Sequence, residues 1–246
     1  MKETRIGLNL AKCKGEGQFR VQSFRWLLRH EVDVAGKAVA DLGAGPCRFA
    51  QVANEFGARV TAVDGRDDRV PEEIRQCEVQ GRRSWFSWGT RSTARQVEGG
   101  RGHGPDNGSI RFIHEDVRKV DLERFDIVLI FGLLYHFEID DQIGLLRRCK
   151  GKTVLIDTMV CGPELMTRYP RRDWECTVER RSGYEGWIYP EKDNPMASIG
   201  NRQSFWHTEP SYERLFRDCG FGDVTAYRPL YLAENGMRSF YRLMPG

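Results

Sequence analysis

Between residues 36 and 157, short apolar runs alternate with segments that carry an apolar side chain every three or four positions. The runs predict buried strands at 38–42, 59–63, 110–113, 125–131 and 153–156. The intervening periodic segments predict helices at 49–57, 67–77 and 139–149. Strands that alternate with helices in this way favour a parallel sheet with helices on both faces.

The two ends of the chain predict further elements. An N-terminal helix is expected within residues 18–35, and Thr208 is expected to cap a closing helix. Residues 223–227 and 238–243 predict two strands that pair as an antiparallel hairpin at the sheet edge. The resulting fold class is α/β, with a Rossmann-like, seven-stranded, mostly parallel sheet.

Two segments interrupt this regularity. Residues 78–108 are rich in Gly, Arg and Ser without a clear period, and they predict an inserted loop. Residues 158–207 are rich in aromatic side chains, and we expect them to form a lid over a substrate. For about half of these aromatics the alternative is a hydrophobic cluster that only packs on the sheet. We therefore expect a single domain, 1–246, with its core at 36–157 and the closing helix and hairpin at 208–246.

Composition limits the class of protein. The chain has 246 residues, of which 40% are hydrophobic, with a formal net charge of +3 and seven cysteines. No run approaches the roughly 20 apolar residues of a membrane span, and no signal-peptide pattern opens the sequence. We expect a cytoplasmic protein without a membrane partner, a disulfide framework or a bound metal. The sequence does not indicate an oligomeric state.

A glycine turn follows the first predicted strand. Gly43 and Gly45 allow the backbone to turn tightly and to approach a ligand where a side chain would collide. Asp41 precedes the turn, and a helix follows it. A dinucleotide fingerprint would have a third glycine near position 48, which is Arg48 here, so NAD or FAD is the less favoured ligand.

Acids also follow the next two strands. Asp64 ends the second strand, 23 positions after Asp41, where a carboxylate can accept hydrogen bonds from two ribose hydroxyls. Asp116 follows the third strand, where an acid and the next backbone nitrogen can recognise an adenine edge. Acids after three successive strands point to a nucleoside-like ligand at one edge of the sheet.

The segments 39–46 (Val-Ala-Asp-Leu-Gly-Ala-Gly-Pro), 61–64 (Thr-Ala-Val-Asp) and 125–129 (Phe-Asp-Ile-Val-Leu) resemble the signature motifs of class I S-adenosylmethionine (SAM)-dependent methyltransferases. The resemblance covers residues 36–157 and implies SAM as the cofactor. The residues it implies for the cofactor site are Asp41, Gly43, Ala44, Gly45, Asp64, Gly65, Asp116, Val117, Phe131 and Gly132. The stretch Pro46-Cys47-Arg48 departs from the commoner G-x-G-x-G form.

His136 follows the fourth strand beside the expected position of the transferred methyl group. An imidazole can remove a proton from an attacking oxygen or nitrogen, whereas a structural role at a helix start is the alternative. We assign His136 as the candidate general base and Tyr135 and His207 as further candidate catalytic residues. The Leu-Tyr-His segment is similar to a subgroup that includes transferases modifying 5-hydroxyuridine at the tRNA wobble position.

The aromatic segment supplies the candidate substrate residues. Aromatic faces and a nearby cation suit a flat or anionic substrate. The residues assigned are Trp174, Trp187, Tyr189, Arg202 and Trp206.

Three functions follow from these observations. The favoured one is methyl transfer to an oxygen or nitrogen of a small or medium-sized metabolite, and it predicts a closed aromatic pocket. The second is modification of RNA with SAM or a SAM derivative, gripped by arginine pairs and the 78–108 loop in an open basic trough. The third is a non-catalytic SAM-binding regulator.

Overall fold

A computed structural model describes residues 1–8, 13–79, 110–161, 178–191, 199–233 and 236–246. The inserted loop predicted at 78–108 lies outside these residues except for its first two positions. The predicted substrate residue Trp174 also lies outside them.

Two sheets account for the strands in the described ranges. In chain order the strands are β1 Lys2–Arg5, β2 Ala38–Leu42, β3 Arg59–Asp64, β4 Arg111–His114, β5 Ile127–Phe131, β6 Thr153–Val160, β7 Val178–Arg181, β8 Tyr184–Pro190, β9 Gln203–His207, β10 Phe221–Ala233 and β11 Gly236–Pro245. The larger sheet has eight strands in the order β1-β10-β11-β6-β5-β2-β3-β4, and the smaller one has the order β7-β8-β9.

The eight-stranded sheet confirms a mostly parallel arrangement. Strands β2 to β6 pair in parallel, whereas β11 is antiparallel to both β6 and β10. The predicted count of seven strands is one too few, because β1 adds to the edge beside β10. Its sequence, Lys-Glu-Thr-Arg, has no apolar alternation, and it is held by backbone pairing rather than by burial of a hydrophobic face.

Five α-helices lie in the described part of the chain: α1 Glu16–His30, α2 Arg48–Glu55, α3 Glu72–Val79, α4 Ile139–Arg148 and α5 Glu209–Asp218. The predicted cap at Thr208 is present, since its side-chain oxygen accepts a hydrogen bond from the backbone nitrogen of Ser211. A short 3₁₀ turn, Leu134–His136, follows β5. None of the described helices is long and apolar enough to cross a membrane.

The described parts of the predicted lid form the small antiparallel sheet, which the sequence did not predict. Its edge strand β9 is tied to the large sheet, because Cys161 N donates to the carbonyl of His207 over 2.9 Å. Phe205 N also donates to the carbonyl of Phe137 over 3.1 Å. These bonds hold the small sheet beside the 3₁₀ turn, at the carboxyl end of β5.

Candidate cofactor and substrate cavity

A cavity of about 460 Å³ opens at the carboxyl ends of β2, β3 and β5. Apart from Asp41, every residue predicted for the cofactor site lines it: Gly43, Ala44, Gly45, Asp64, Gly65, Asp116, Val117, Phe131 and Gly132. The other end is lined by Tyr135, His136, Met159, Tyr189, Trp206 and Arg238, among others. We refer to these as the glycine-turn end and the aromatic end.

The turn after β2 depends on its glycines. Gly43 has φ +69° and Gly45 has φ +46°, values in the left-handed region that side chains disfavour. A Cβ at position 43 would lie 3.0 Å from Leu133 Cδ1. The nitrogens of Gly43 and Ala44 both donate to the carbonyl of Val63, at 2.8 and 3.1 Å, so the turn is fastened to β3.

Asp64 also fastens the turn. Its Oδ2 accepts a hydrogen bond from Gly45 N over 2.8 Å, and its Oδ1 accepts one from Arg66 N over 2.9 Å. The carboxylate lines the cavity and is half-buried. Each carboxylate oxygen can accept more than one hydrogen bond, so these contacts leave capacity for two hydroxyl donors.

Asp41 lies behind the turn rather than in the cavity. Its side chain is buried, and Oδ2 accepts a hydrogen bond from Ala50 N in α2 over 3.0 Å. Burial raises the pKa of this carboxyl from 3.8 to about 7, and the nearby charge of Asp64 adds to the increase. The structure therefore gives Asp41 the role of joining β2 to α2.

The acid after β4 is held by a neighbouring arginine. Asp116 Oδ2 lies 2.7 Å from Arg118 Nη2, and hydrogen bonds from Arg118 lower the pKa of Asp116. Arg118 also contacts Asp141 Oδ2 at 2.8 Å and donates to the carbonyl of Ile199 over 3.1 Å. This arginine thus joins the third strand-end loop, helix α4 and the chain leading into β9.

His136 has a carboxylate partner that the sequence did not reveal. Its Nδ1 lies 2.8 Å from Oε1 of Glu191, whose side chain is fully buried. The carbonyl of His136 accepts a hydrogen bond from Asn201 Nδ2 over 3.2 Å. The histidine lines the cavity at its aromatic end.

A buried ionic network lies at the aromatic end, and the sequence did not predict it. Asp157 is fully buried, and it bonds Arg20 through Oδ2 and Arg238 through Oδ1. Arg238 Nη2 lies 2.6 Å from Oε1 of Glu16 and 3.4 Å from the hydroxyl of Tyr135. The one sequence signal was charge within apolar strands, because Asp157 belongs to β6 and Arg238 belongs to β11.

Two of the predicted substrate residues form a wall of the cavity. The rings of Tyr189 and Trp206 stack with centroids 5.1 Å apart, and both residues line the cavity. Trp187 is buried in the cluster behind them, without lining the cavity. Arg202 is exposed on the surface. The structure thus brings Tyr189 and Trp206 to the site, but not Trp187 or Arg202.

His207 lies in the core rather than in the cavity. Its side chain is fully buried, with Nδ1 2.9 Å from the hydroxyl of Ser211 and the ring packed against Phe205 and Tyr212. Burial lowers the pKa of this imidazole to about 3. An imidazole with that pKa stays neutral and, at this position, cannot reach a substrate, so the assignment of His207 as catalytic is not supported by its location.

No group of three or more His, Cys, Asp or Glu side chains in the described ranges is arranged to hold a metal ion.

Comparison with known proteins gives no family model and no curated protein that matches this sequence. Solved structures do match its shape. The N-terminal domain of EvdMO1 with SAH bound is 17% identical, with 93% of this chain and 80% of that chain covered and a TM-score of 0.59. The 1,6-didemethyltoxoflavin-N1-methyltransferase of Burkholderia thailandensis is 19% identical, with 92% and 78% covered and a TM-score of 0.54.

A third matching structure is magnesium protoporphyrin IX methyltransferase from Synechocystis PCC 6803 with bound SAH. It is 14% identical, with 94% of this chain and 84% of that chain covered and a TM-score of 0.59. At these low sequence identities, the matches show a similar fold over nearly the whole of this chain. This protein therefore has the fold of the class I SAM-dependent methyltransferases.

Proposed function

We propose that this protein is a SAM-dependent methyltransferase that acts on an oxygen or nitrogen of a small or medium-sized metabolite. The observation that carries the proposal is one cavity with two different ends. A glycine turn fastened by Asp64 forms one end, and His136 and stacked aromatic rings form the other. Its volume falls within the range of roughly 300–1,000 Å³ that is typical of small-molecule sites.

The residues at the glycine-turn end fit the cofactor. A Cβ at position 43 would press on Leu133, and one at position 65 would meet the terminal methyl group of Ile199, so glycine at these two positions keeps side-chain bulk out of the cavity wall. In the proposed site Asp64 accepts hydrogen bonds from the ribose hydroxyls, and Asp116 and Val117 border the adenine. When bound, SAM supplies a methyl group made electrophilic by its sulfonium.

The aromatic end supports a small acceptor rather than RNA. Tyr189 and Trp206 offer a stacked face, and Tyr135 packs edge-on against Trp206 with centroids 5.5 Å apart. Such a wall can orient a flat or ring-shaped molecule next to His136, and displacement at a methyl group depends mainly on positioning. An RNA substrate would favour an open basic trough, which is the second function tested below.

The test is a screen for S-adenosylhomocysteine produced from SAM by the purified protein with separate metabolite and RNA pools. The proposal predicts product with a metabolite pool and none with RNA, and loss of product in an Asp64→Ala variant. Product with RNA alone would support RNA modification. SAM binding without product in any pool would support the regulator, and neither binding nor product would reject all three.

A further inference from the structure

The contact between His136 and Glu191 fixes the orientation of an imidazole in the cavity. Backbone bonds hold both residues: His136 N donates to the carbonyl of Leu133 over 2.9 Å, and Glu191 N donates to the carbonyl of Arg202 over 3.0 Å. An ionised carboxylate accepts hydrogen bonds and donates none. With Glu191 ionised, the Nδ1 atom that faces it over 2.8 Å carries a proton, and in a neutral ring Nε2 is the acceptor.

The charges at the aromatic end balance one another. Arg20 and Arg238 contribute two positive charges, and Asp157 and Glu16 contribute two negative charges within the same network. Arg238 and Asp157 are buried, so their attraction is only weakly screened. Within this four-residue network no positive charge is in surplus, and Arg48, Arg66 and Arg69, which also line the cavity, lie outside it.

We propose that Glu191 is a positioning residue for His136, and that the acceptor of this site is an uncharged hydroxyl group. The inference rests on the proposed methyl transfer. A carboxylate acceptor is already ionised and an uncharged amine attacks with its free electron pair, so neither needs a base before attack. A hydroxyl group gains from one.

The transfer step moves one proton and one methyl group. The O–H bond of the acceptor breaks, and its proton moves to His136 Nε2. The oxygen electron pair forms a bond to the methyl carbon, while the electron pair of the carbon–sulfur bond remains on sulfur and neutralises the sulfonium. The imidazolium, stabilised by the Glu191 carboxylate, later releases its proton to water.

The first test is independent of any acceptor. Long-range ¹H–¹⁵N spectra of protein labelled on its five histidines report which ring nitrogen carries the proton, and His136→Asn identifies the signal. The neutral ring should be protonated on Nδ1, and Glu191→Ala should remove this preference. Glu191→Leu, which keeps most of the side-chain volume but has no hydrogen-bond acceptor, serves if the alanine variant fails to fold. Glu185→Gln, which changes an exposed acid on the strand that precedes Glu191, is the matched control and should change nothing. A neutral wild-type ring protonated on Nε2 would overturn the proposal.

The second test uses the hydroxyl acceptor found by the screen. Glu191→Ala should lower kcat by about tenfold or more, while KM for the acceptor and SAM affinity stay unchanged. In a His136→Asn background the same change should lower kcat no further, because the proposed effect of Glu191 on the reaction passes through His136. Additive losses, or a change confined to KM, would overturn the positioning role.

The proposed acceptor class is tested by comparing related compounds. Methylation of a hydroxyl compound, with matched amine and carboxylic acid analogues inactive, is the expected result, and a preference for either analogue would overturn it. Turnover by the wild-type protein with any of these acceptors would still support the proposed methyltransferase function. Absence of turnover with every acceptor would instead reject that function, while the histidine spectra would still report on Glu191.

Discussion

Asp64 holds the glycine turn directly: its Oδ2 accepts a hydrogen bond from Gly45 N over 2.8 Å. The same carboxylate accepts from Arg66 N through Oδ1 over 2.9 Å, so one side chain joins the segments after β2 and β3. A carboxylate held at both oxygens loses little conformational entropy when a ligand binds, because its orientation is already fixed. Asp64 is therefore expected to matter for the shape of the site as well as for contact with the cofactor.

Replacing Asp64 with alanine should weaken SAM binding by about tenfold to a hundredfold, since hydrogen bonds to a charged group contribute roughly 1.5–3 kcal/mol. Calorimetric titration measures the change. Asp67→Ala is the control, because Asp67 is a half-buried neighbour that pairs with Arg75 and does not line the cavity. Unchanged affinity in a folded Asp64→Ala protein would remove this residue from the cofactor site.

Gly43→Val should abolish cofactor binding, because the new side chain would enter the approach path of the ligand and press on Leu133. Gly36→Val is a closely matched control. Gly36 has the same φ of +69°, but a Cβ there meets no atom within 4 Å, and the residue does not line the cavity. Thermal melts should show both variants destabilised by backbone strain, with SAM binding lost only in Gly43→Val. Normal binding by Gly43→Val would contradict the assigned role of the turn.

Asp41 should make folding stability depend on pH. Its pKa is about 7 in the folded protein against an ordinary 3.8, so between these values the folded state keeps a proton that the unfolded chain has lost. The contribution of Asp41 to stability is therefore largest at low pH and declines as pH rises from about 4 to 7. Asp41→Asn should flatten this decline in urea unfolding measured across that range. An identical pH dependence in the variant and the wild type would show that burial does not perturb this carboxyl.

His207 should act in the opposite direction. Its pKa is about 3 in the folded protein against an ordinary 6.5, so the unfolded chain takes up a proton first as the pH falls. Stability is lost as the pH decreases from about 6.5 towards 3, and His207→Gln should lack that loss. Because His207 does not line the cavity, SAM affinity and kcat of the folded variant should match the wild type. A large loss of kcat with unchanged stability would restore His207 as a catalytic candidate.

Local sequence predicted the features that depend on neighbouring residues. Apolar runs of four to seven residues marked the parallel strands, since strands buried on both faces need apolar side chains throughout. The glycine turn was predicted for a similar reason, because a left-handed backbone restricts which residues fit. Strand β1 was missed because an edge strand is held by backbone bonds, which carry no side-chain pattern.

The contacts between distant segments could not be predicted from one sequence. Glu191 follows a strand that alternates irregularly, and 55 positions separate it from His136. Arg20 and Asp157 are 137 positions apart. Helical spacing predicted α1, but an arginine on a helix is usually solvent-exposed. Here α1 packs against α2 and β10, and the Arg20 side chain reaches Asp157 in β6.

Calorimetric titration of the wild-type protein with SAM, and separately with NAD, tests the central claim most directly. The two cofactors differ at the glycine turn, where NAD would favour a third glycine at the position of Arg48. The account predicts saturable one-to-one binding of SAM, and of S-adenosylhomocysteine, without binding of NAD. Binding of NAD with no binding of SAM would contradict it.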